Sequence, residues 1–164
     1  MNLTTFNALP ATAAQAAIAH CVAIPRWQQA LIAARAFTSL AALMAEAERL
    51  TQEWTSDDLA LALAAHPRIG ERAGGADKEA ALSRQEQAAM GDADAALTLA
   101  MQAGNQAYEA RFGRVFLIRA KGRSGEEMLA QLQRRLENDD TTEAREALEQ
   151  LREITLLRLK ESLT

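Results

Sequence analysis

Ser39-Leu40-Ala41-Ala42-Leu43-Met44-Ala45-Glu46-Ala47-Glu48-Arg49-Leu50-Thr51-Gln52-Glu53-Trp54 is the stretch that decides the fold class. Its apolar residues Leu40, Leu43, Met44, Ala47 and Leu50 recur at three- and four-residue steps, which puts them on one face of a helix. The same periodicity runs on either side of it. Thr12 to Cys21 reads as a helix stopped by Ile24-Pro25, and Arg26 to Ala34 as a short second one. Ser56 is the expected N-cap of a helix from Asp57 to Ala64, with two acids in its first turn. His66-Pro67 ends it, because a residue before proline is pushed out of the α region. Residues 66–80 read as a glycine-bearing loop. Ser83 and Glu86 then form a capping-box pattern that opens another helix.

Asp94 to Phe112 is a long helix ending at Gly113, and Val115 to Arg119 is a short apolar segment that reads as extended. Ser124 and Glu127 give a second capping box, for a helix to about Asn138. Thr141 to Ser162 is the last helix, with Ala144, Leu148, Leu151, Ile154, Thr155 and Arg158 along one side. The expectation is an all-α, single-domain bundle of about seven to eight helices over residues 1–164.

Composition narrows the function classes. At 164 residues the chain is long enough to bury a core, and its low aromatic content leaves that core to alanine and leucine. The net charge of −4, with no basic stripe interleaved with aromatics, argues against a nucleic-acid partner. No apolar run approaches the roughly 20 residues needed to span a bilayer, so no membrane association is expected. One cysteine, Cys21, excludes an intrachain disulfide and fits a reducing compartment. With no basic-then-apolar leader and no peroxisomal ending, the expected location is cytoplasmic. No metal site is expected. Two histidines and one cysteine are too few for a typical zinc site, and adjacent His20 and Cys21 diverge by about 100° on a helix. Neither a phosphate loop nor a serine-nucleophile elbow occurs.

Three polar tracts stand out: His66-Pro67-Arg68-Ile69-Gly70-Glu71-Arg72, Ser83-Arg84-Gln85-Glu86-Gln87, and Asn105 to Arg123. His66 sits where a helix breaks, beside a rigid proline, and imidazole exchanges protons near neutral pH; otherwise it is a surface histidine or a loop hydrogen-bonder. His20, within an apolar helix, has the poorer case. Glu86 occupies a normal capping position, yet a helix N-terminus with Ser83, Gln85 and Gln87 beside it also offers an anion-binding wall. Arg158 either complements the helix dipole or pairs with Glu153 or Glu161; its planar guanidinium also suits a two-pronged grip on a carboxylate. Phe116 to Ala120 reads as core, but a non-helical segment leaves backbone N–H and C=O groups seeking partners, and a flat amide-rich ligand would be one. Asn105, Tyr108 and Arg111 recur at three-residue steps, a spacing usual for packing and salt bridges.

In order and spacing, these tracts resemble the 2-oxo-4-hydroxy-4-carboxy-5-ureidoimidazoline (OHCU) decarboxylases of urate degradation, from about Phe6 to Leu159. The resemblance rests on His66-Pro67, on Ser83-x-x-Glu86-Gln87, on Asn105-x-x-Tyr108-x-x-Arg111-Phe112-Gly113 and on Phe116-Leu117-Ile118-Arg119-Ala120-Lys121-Gly122. It implies an all-helical, cofactor-free enzyme, a homodimer, acting on a small-molecule ureidoimidazoline carboxylate to give (S)-allantoin and CO2. Carried across, His66 matches the catalytic histidine and Glu86 its carboxylate partner. Pro67, Ser83 and Gln87 match pocket positions. Phe116, Leu117, Ile118, Arg119 and Ala120 match the segment whose backbone contacts the substrate's ureido and ring amides, and Arg158 the arginine that addresses it. Two other readings of the residues stay open: a helical binding module whose tracts are caps and salt bridges, and a hydrolase of a related ureido compound.

Overall fold

The computed structural model describes residues 1–66 and 95–163. Among them are eight helices: α1 (Leu3–Ala8), α2 (Ala11–Ile18), α3 (Pro25–Ala33), α4 (Leu40–Thr51), α5 (Ser56–Leu63), α6 (Ala95–Phe112), α7 (Gly125–Arg135) and α8 (Asp140–Ser162). The described residues contain no strand, so the class is all-α as the periodicity predicts. They divide into two compact units: Met1–Ala62 with Arg152–Thr164, and Leu63–Leu151.

In the first unit the α4 stripe behaves as its spacing requires. Leu43, Ala47 and Leu50 are buried, while Leu40 and Met44 flank them half-buried. Ser39 accepts from the Ala42 amide at 3.0 Å and so caps the helix. Because Ala47 is small, Trp27 of α3 reaches the helix backbone, and its indole N–H donates to the Ala47 carbonyl at 3.2 Å. The Trp27 and Trp54 rings meet edge to face at 6.3 Å. Pro25 opens α3 at its first position, where a missing amide costs nothing. Helix α1 is not foreseen by the sequence reading. It is six residues long, capped by Asn2, and it buries only Phe6. Arg35 holds it from outside, with Nη1 donating to the Phe6 and Leu9 carbonyls at 2.7 Å each.

The cap of α5 is Thr55, one residue before the expected Ser56. Thr55 Oγ1 faces the Asp58 amide at 3.4 Å, and Asp58 Oδ2 accepts in return from the Thr55 amide at 2.8 Å. Asp58 sits three residues after Thr55, the spacing that lets a carboxylate reach back to a cap; Ser56 has no such partner. Arg26 adds a 2.7 Å ion pair to the same Asp58 oxygen.

In the second unit, α6 buries Leu97, Met101, Asn105, Tyr108 and Phe112 along one face. Gly113, at φ +70°, ends the helix in the left-handed region, its amide donating to the Glu109 carbonyl at 2.9 Å. Ser124 caps α7 through the Glu127 amide at 3.1 Å, as the capping-box pattern predicts. A shared core joins the α6 face to Phe116, Ile118, Ala120, Met128 and Leu132. On α8 the buried seam is Glu143, Ala147, Leu151, Ile154, Thr155, Arg158 and Leu159. Ala144 and Leu148, expected on it, are only half-buried, because the seam runs through Glu143 and Ala147 one position earlier.

Helices α6 and α7 approach closely at Gly104. A Cβ there would lie 2.5 Å from Leu132 Cδ2 and 3.2 Å from its Cγ. Leu132 is fully buried and has little room to swing away. Gly104→Ala is therefore expected to destabilise the protein by about 1–3 kcal/mol despite alanine's better helix propensity. Urea unfolding of the two proteins checks it; equal or greater stability in the alanine variant contradicts the close packing.

Candidate active site

His66 follows α5, half-buried, with its amide donating to the Leu63 carbonyl at 3.1 Å and its Nε2 withdrawn from solvent. It is thus carried at a helix end, as the His-Pro break predicts. Pro67, Ser83, Glu86 and Gln87, together with the expected loop and capping box, lie outside the described residues.

Phe116, Leu117, Ile118 and Ala120 are buried, and Arg119 is half-buried. The segment is neither helix nor strand, so its backbone polar groups need partners of other kinds. Partners are found at Leu117 and Arg119, and the Ala120 carbonyl accepts from the Arg123 amide at 3.1 Å where the segment ends. The Leu117 carbonyl accepts from Arg135 Nη1 at 2.7 Å. The Arg119 amide donates to Gln150 Oε1 at 2.9 Å, and its carbonyl accepts from Arg123 Nε at 2.9 Å. Between them, neither the amide nor the carbonyl of Ile118 has a hydrogen-bond partner among the described residues. Alternation of this kind is what a stretched chain gives, since successive residues turn their N–H and C=O to opposite edges. The Leu117 and Arg119 groups are thus fastened to protein on either side of Ile118, whose own amide and carbonyl are not.

Arg135 is itself held. Its Nε lies 2.8 Å and its Nη2 2.6 Å from the Glu143 carboxylate, and both residues are almost wholly buried, at 2% and 0% exposure. Tyr108 donates to the same carboxylate at 2.7 Å, and Asn138 Nδ2 lies 3.3 Å from it. The Arg135 guanidinium also covers the Phe116 ring at 4.6 Å, while Tyr108 packs against that ring edge to face at 5.2 Å. Glu143 lies in the first turn of α8, where the helix dipole favours a negative charge. Sequence reasoning passed over Arg135, Glu143 and Gln150. No periodic spacing links Arg135 with Glu143, which sit on different helices, and nothing in the local pattern marks either as buried. Arg111, grouped with Asn105 and Tyr108 by spacing, departs from them: it is exposed and donates to the Asn138 carbonyl at 2.7 Å.

In the other unit Arg158 is buried, at 2% exposure, so it is no surface cation at a helix end. Its Nη1 donates to the His20 carbonyl at 3.1 Å. His20 Nε2 lies 2.6 Å from Ser162 Oγ, which in turn donates to the Arg158 carbonyl at 2.8 Å. His20 is therefore a packing residue beside Arg158. Among the described residues no cluster of His, Cys, Asp and Glu is placed to hold a metal ion, and no helix is long and apolar enough to cross a membrane.

These features define an all-α protein whose second unit buries an irregular segment. The model of the OHCU decarboxylase family matches residues 7–160, nearly the whole chain. The chain belongs to the OHCU decarboxylase family and is a carboxy-lyase of urate degradation. Among its relatives, the 2-oxo-4-hydroxy-4-carboxy-5-ureidoimidazoline decarboxylase of Haloferax volcanii is 29% identical over 127 residues, covering 77% of this chain and 74% of its own. A crystal structure of an OHCU decarboxylase in the presence of (S)-allantoin superposes with a TM-score of 0.73 at 23% identity, over 87% of this chain and 94% of that one. A crystal structure of an (S)-allantoin synthase gives a TM-score of 0.75 at 17% identity, over 99% of this chain and 54% of that one. Both structures share its fold.

Burial, and then the Glu143 carboxylate, push the Tyr108 phenol well above the ordinary tyrosine value of about 10. A raised value means the neutral phenol favours the fold. That contribution is complete below pH about 10 and is lost as the pH rises through the folded-state value. Tyr108 is the one tyrosine of the chain, so phenolate absorbance reports it alone. In an alkaline titration the phenolate band is expected to appear only together with loss of helical circular dichroism. Ionisation near pH 10 in a still-folded protein contradicts the buried bond to Glu143.

Proposed function

We propose that this protein converts 2-oxo-4-hydroxy-4-carboxy-5-ureidoimidazoline to (S)-allantoin and CO2 without a cofactor, with His66 and Glu86 as the acid/base pair. The family match over residues 7–160 carries the choice of reaction. The substrate supplies its own electron sink. The bond between the ring carbon and its carboxylate breaks, CO2 leaves, and the electron pair moves into the adjacent ring C=N. The ring nitrogen takes up a proton, the hydroxyl-bearing carbon gives up its O–H proton and becomes the carbonyl, and a proton is delivered to the neighbouring ureido-bearing carbon, which becomes the stereocentre. The protein's task is to orient the carboxylate, hold the delocalised anion and deliver that proton to one face.

His66 carries the proton at the substrate hydroxyl or ring, with Glu86 orienting it and supporting its charged form. Facial delivery makes one enantiomer. Pro67, Ser83 and Gln87 line the pocket. Phe116, Leu117, Ile118, Arg119 and Ala120 present backbone groups to the ureido and ring amides. The paired donor and acceptor of Ile118 support that role, since an amide or urea edge offers the complementary acceptor and donor. Arg158 addresses the substrate through its guanidinium. The chain works as one domain, as a cytoplasmic homodimer.

Circular dichroism of urate treated with urate oxidase and 5-hydroxyisourate hydrolase tests this directly. Optically active allantoin is expected to form quickly only when the protein is added. His66→Ala is expected to lower the rate by about 10²–10⁴-fold while leaving the helical spectrum intact. Glu86→Gln is expected to impair turnover more than melting temperature; the reverse result makes Glu86 a helix cap and removes it from the pair. Slow racemic allantoin from folded wild-type protein defeats the whole reading.

A further inference from the structure

We infer that Arg135, clamped by Glu143 and Tyr108, is the positioning residue that sets the substrate-contacting edge of the Phe116–Ala120 segment. The inference rests on the decarboxylase reading above and adds to it a residue that lies behind the segment. Arg135 uses one guanidinium in two directions. Nε and Nη2 bind the Glu143 carboxylate at 2.8 and 2.6 Å, and Nη1 reaches the Leu117 carbonyl at 2.7 Å. The guanidinium is planar and rigid, so two bonds to one carboxylate fix the aim of the remaining arm. Tyr108 binds Oε2 and Asn138 Oε1 of the same carboxylate, which helps to keep it from turning with the arginine.

What this arrangement controls is backbone orientation. With the Leu117 carbonyl fastened to Arg135 and the Arg119 amide to Gln150, the peptide units on both sides of Ile118 are held. The Ile118 N–H and C=O must then face the opposite edge. If the Leu117 carbonyl were released, the Leu117–Ile118 peptide plane could rotate, and the Ile118 N–H would rotate with it. A buried ion pair is no efficient source of stability, since apolar residues of similar volume commonly do as well. A hydrophobic replacement, however, offers no donor to the Leu117 carbonyl.

Arg135→Lys keeps a cation for Glu143 but cannot span both partners with a fixed fork. It is expected to remain folded, to raise KM on the order of tenfold, the worth of one well-placed hydrogen bond, and to leave kcat within about twofold. Tyr108→Phe keeps the ring and removes one anchor of Glu143; a smaller rise in KM in the same direction is expected. Amide hydrogen exchange at Leu117, Ile118 and Arg119 is expected to quicken in both variants. A folded Arg135→Lys protein with unchanged KM overturns the inference, and so does one that loses kcat without change in KM. Should Arg135→Lys fail to fold, unchanged KM in Tyr108→Phe has the same force. An inactive wild-type enzyme defeats the decarboxylase reading instead. The exchange rates then decide the positioning role alone: unaltered exchange in the variants overturns it.

Discussion

The carboxylate of Glu143, buried against the guanidinium of Arg135, is the constraint from which the second unit is organised. Removing two full charges from water costs several kcal/mol for each, and the cost is offset only when every remaining donor and acceptor is used. Glu143 receives Arg135, Tyr108 and Asn138, and it sits where the α8 dipole favours a negative charge. Arg135 in turn spends its free arm on Leu117. These bonds tie α6, α7, the start of α8 and the 116–120 segment to one point. Loss of either ionic partner would leave the other charge buried and unpaired, a far larger penalty than loss of any neighbouring apolar contact.

Around that point, packing follows from small side chains. Gly104 lets Leu132 of α7 come against the α6 backbone, and Ala47 lets Trp27 bond to the α4 backbone. Few aromatics are available to fill space between helices, so the helices close the gap themselves. The irregular segment is the exception. It is buried without being regular; at Leu117 and Arg119 its polar groups are met by side chains of Arg135, Gln150 and Arg123, and the Ala120 carbonyl by the Arg123 amide. Such a segment is expensive to bury and persists where an outward edge of backbone is put to use.

Much of this was legible beforehand. The α4 stripe, the Ser39 and Ser124 caps, the stop at Gly113 and the non-helical character of 115–119 all depend on neighbours within one or two turns, and the sequence shows them. The placement of His66 at a helix end follows from Pro67 for the same reason. Helix α1 was not legible: six residues with one buried side chain carry no periodic signal, and its end is held by Arg35 from α3's far side. The Thr55 cap was misread as Ser56 because either residue can cap; the reach of Asp58 and the grip of Arg26 decided it.

By itself, then, the sequence determined the helices and the order of the polar tracts, because helix periodicity, capping and breaking act over a few residues. The tertiary structure decided which polar residues are buried and what they hold. Arg135 and Glu143 look like ordinary members of charged helices, and Arg158 like a cation at a helix end. Only packing withdraws them from water, and once withdrawn each must find partners far away in sequence: Leu117 and Tyr108 for the pair, His20 for Arg158. Desolvation is a property of the folded surroundings, and no local pattern in the chain records it.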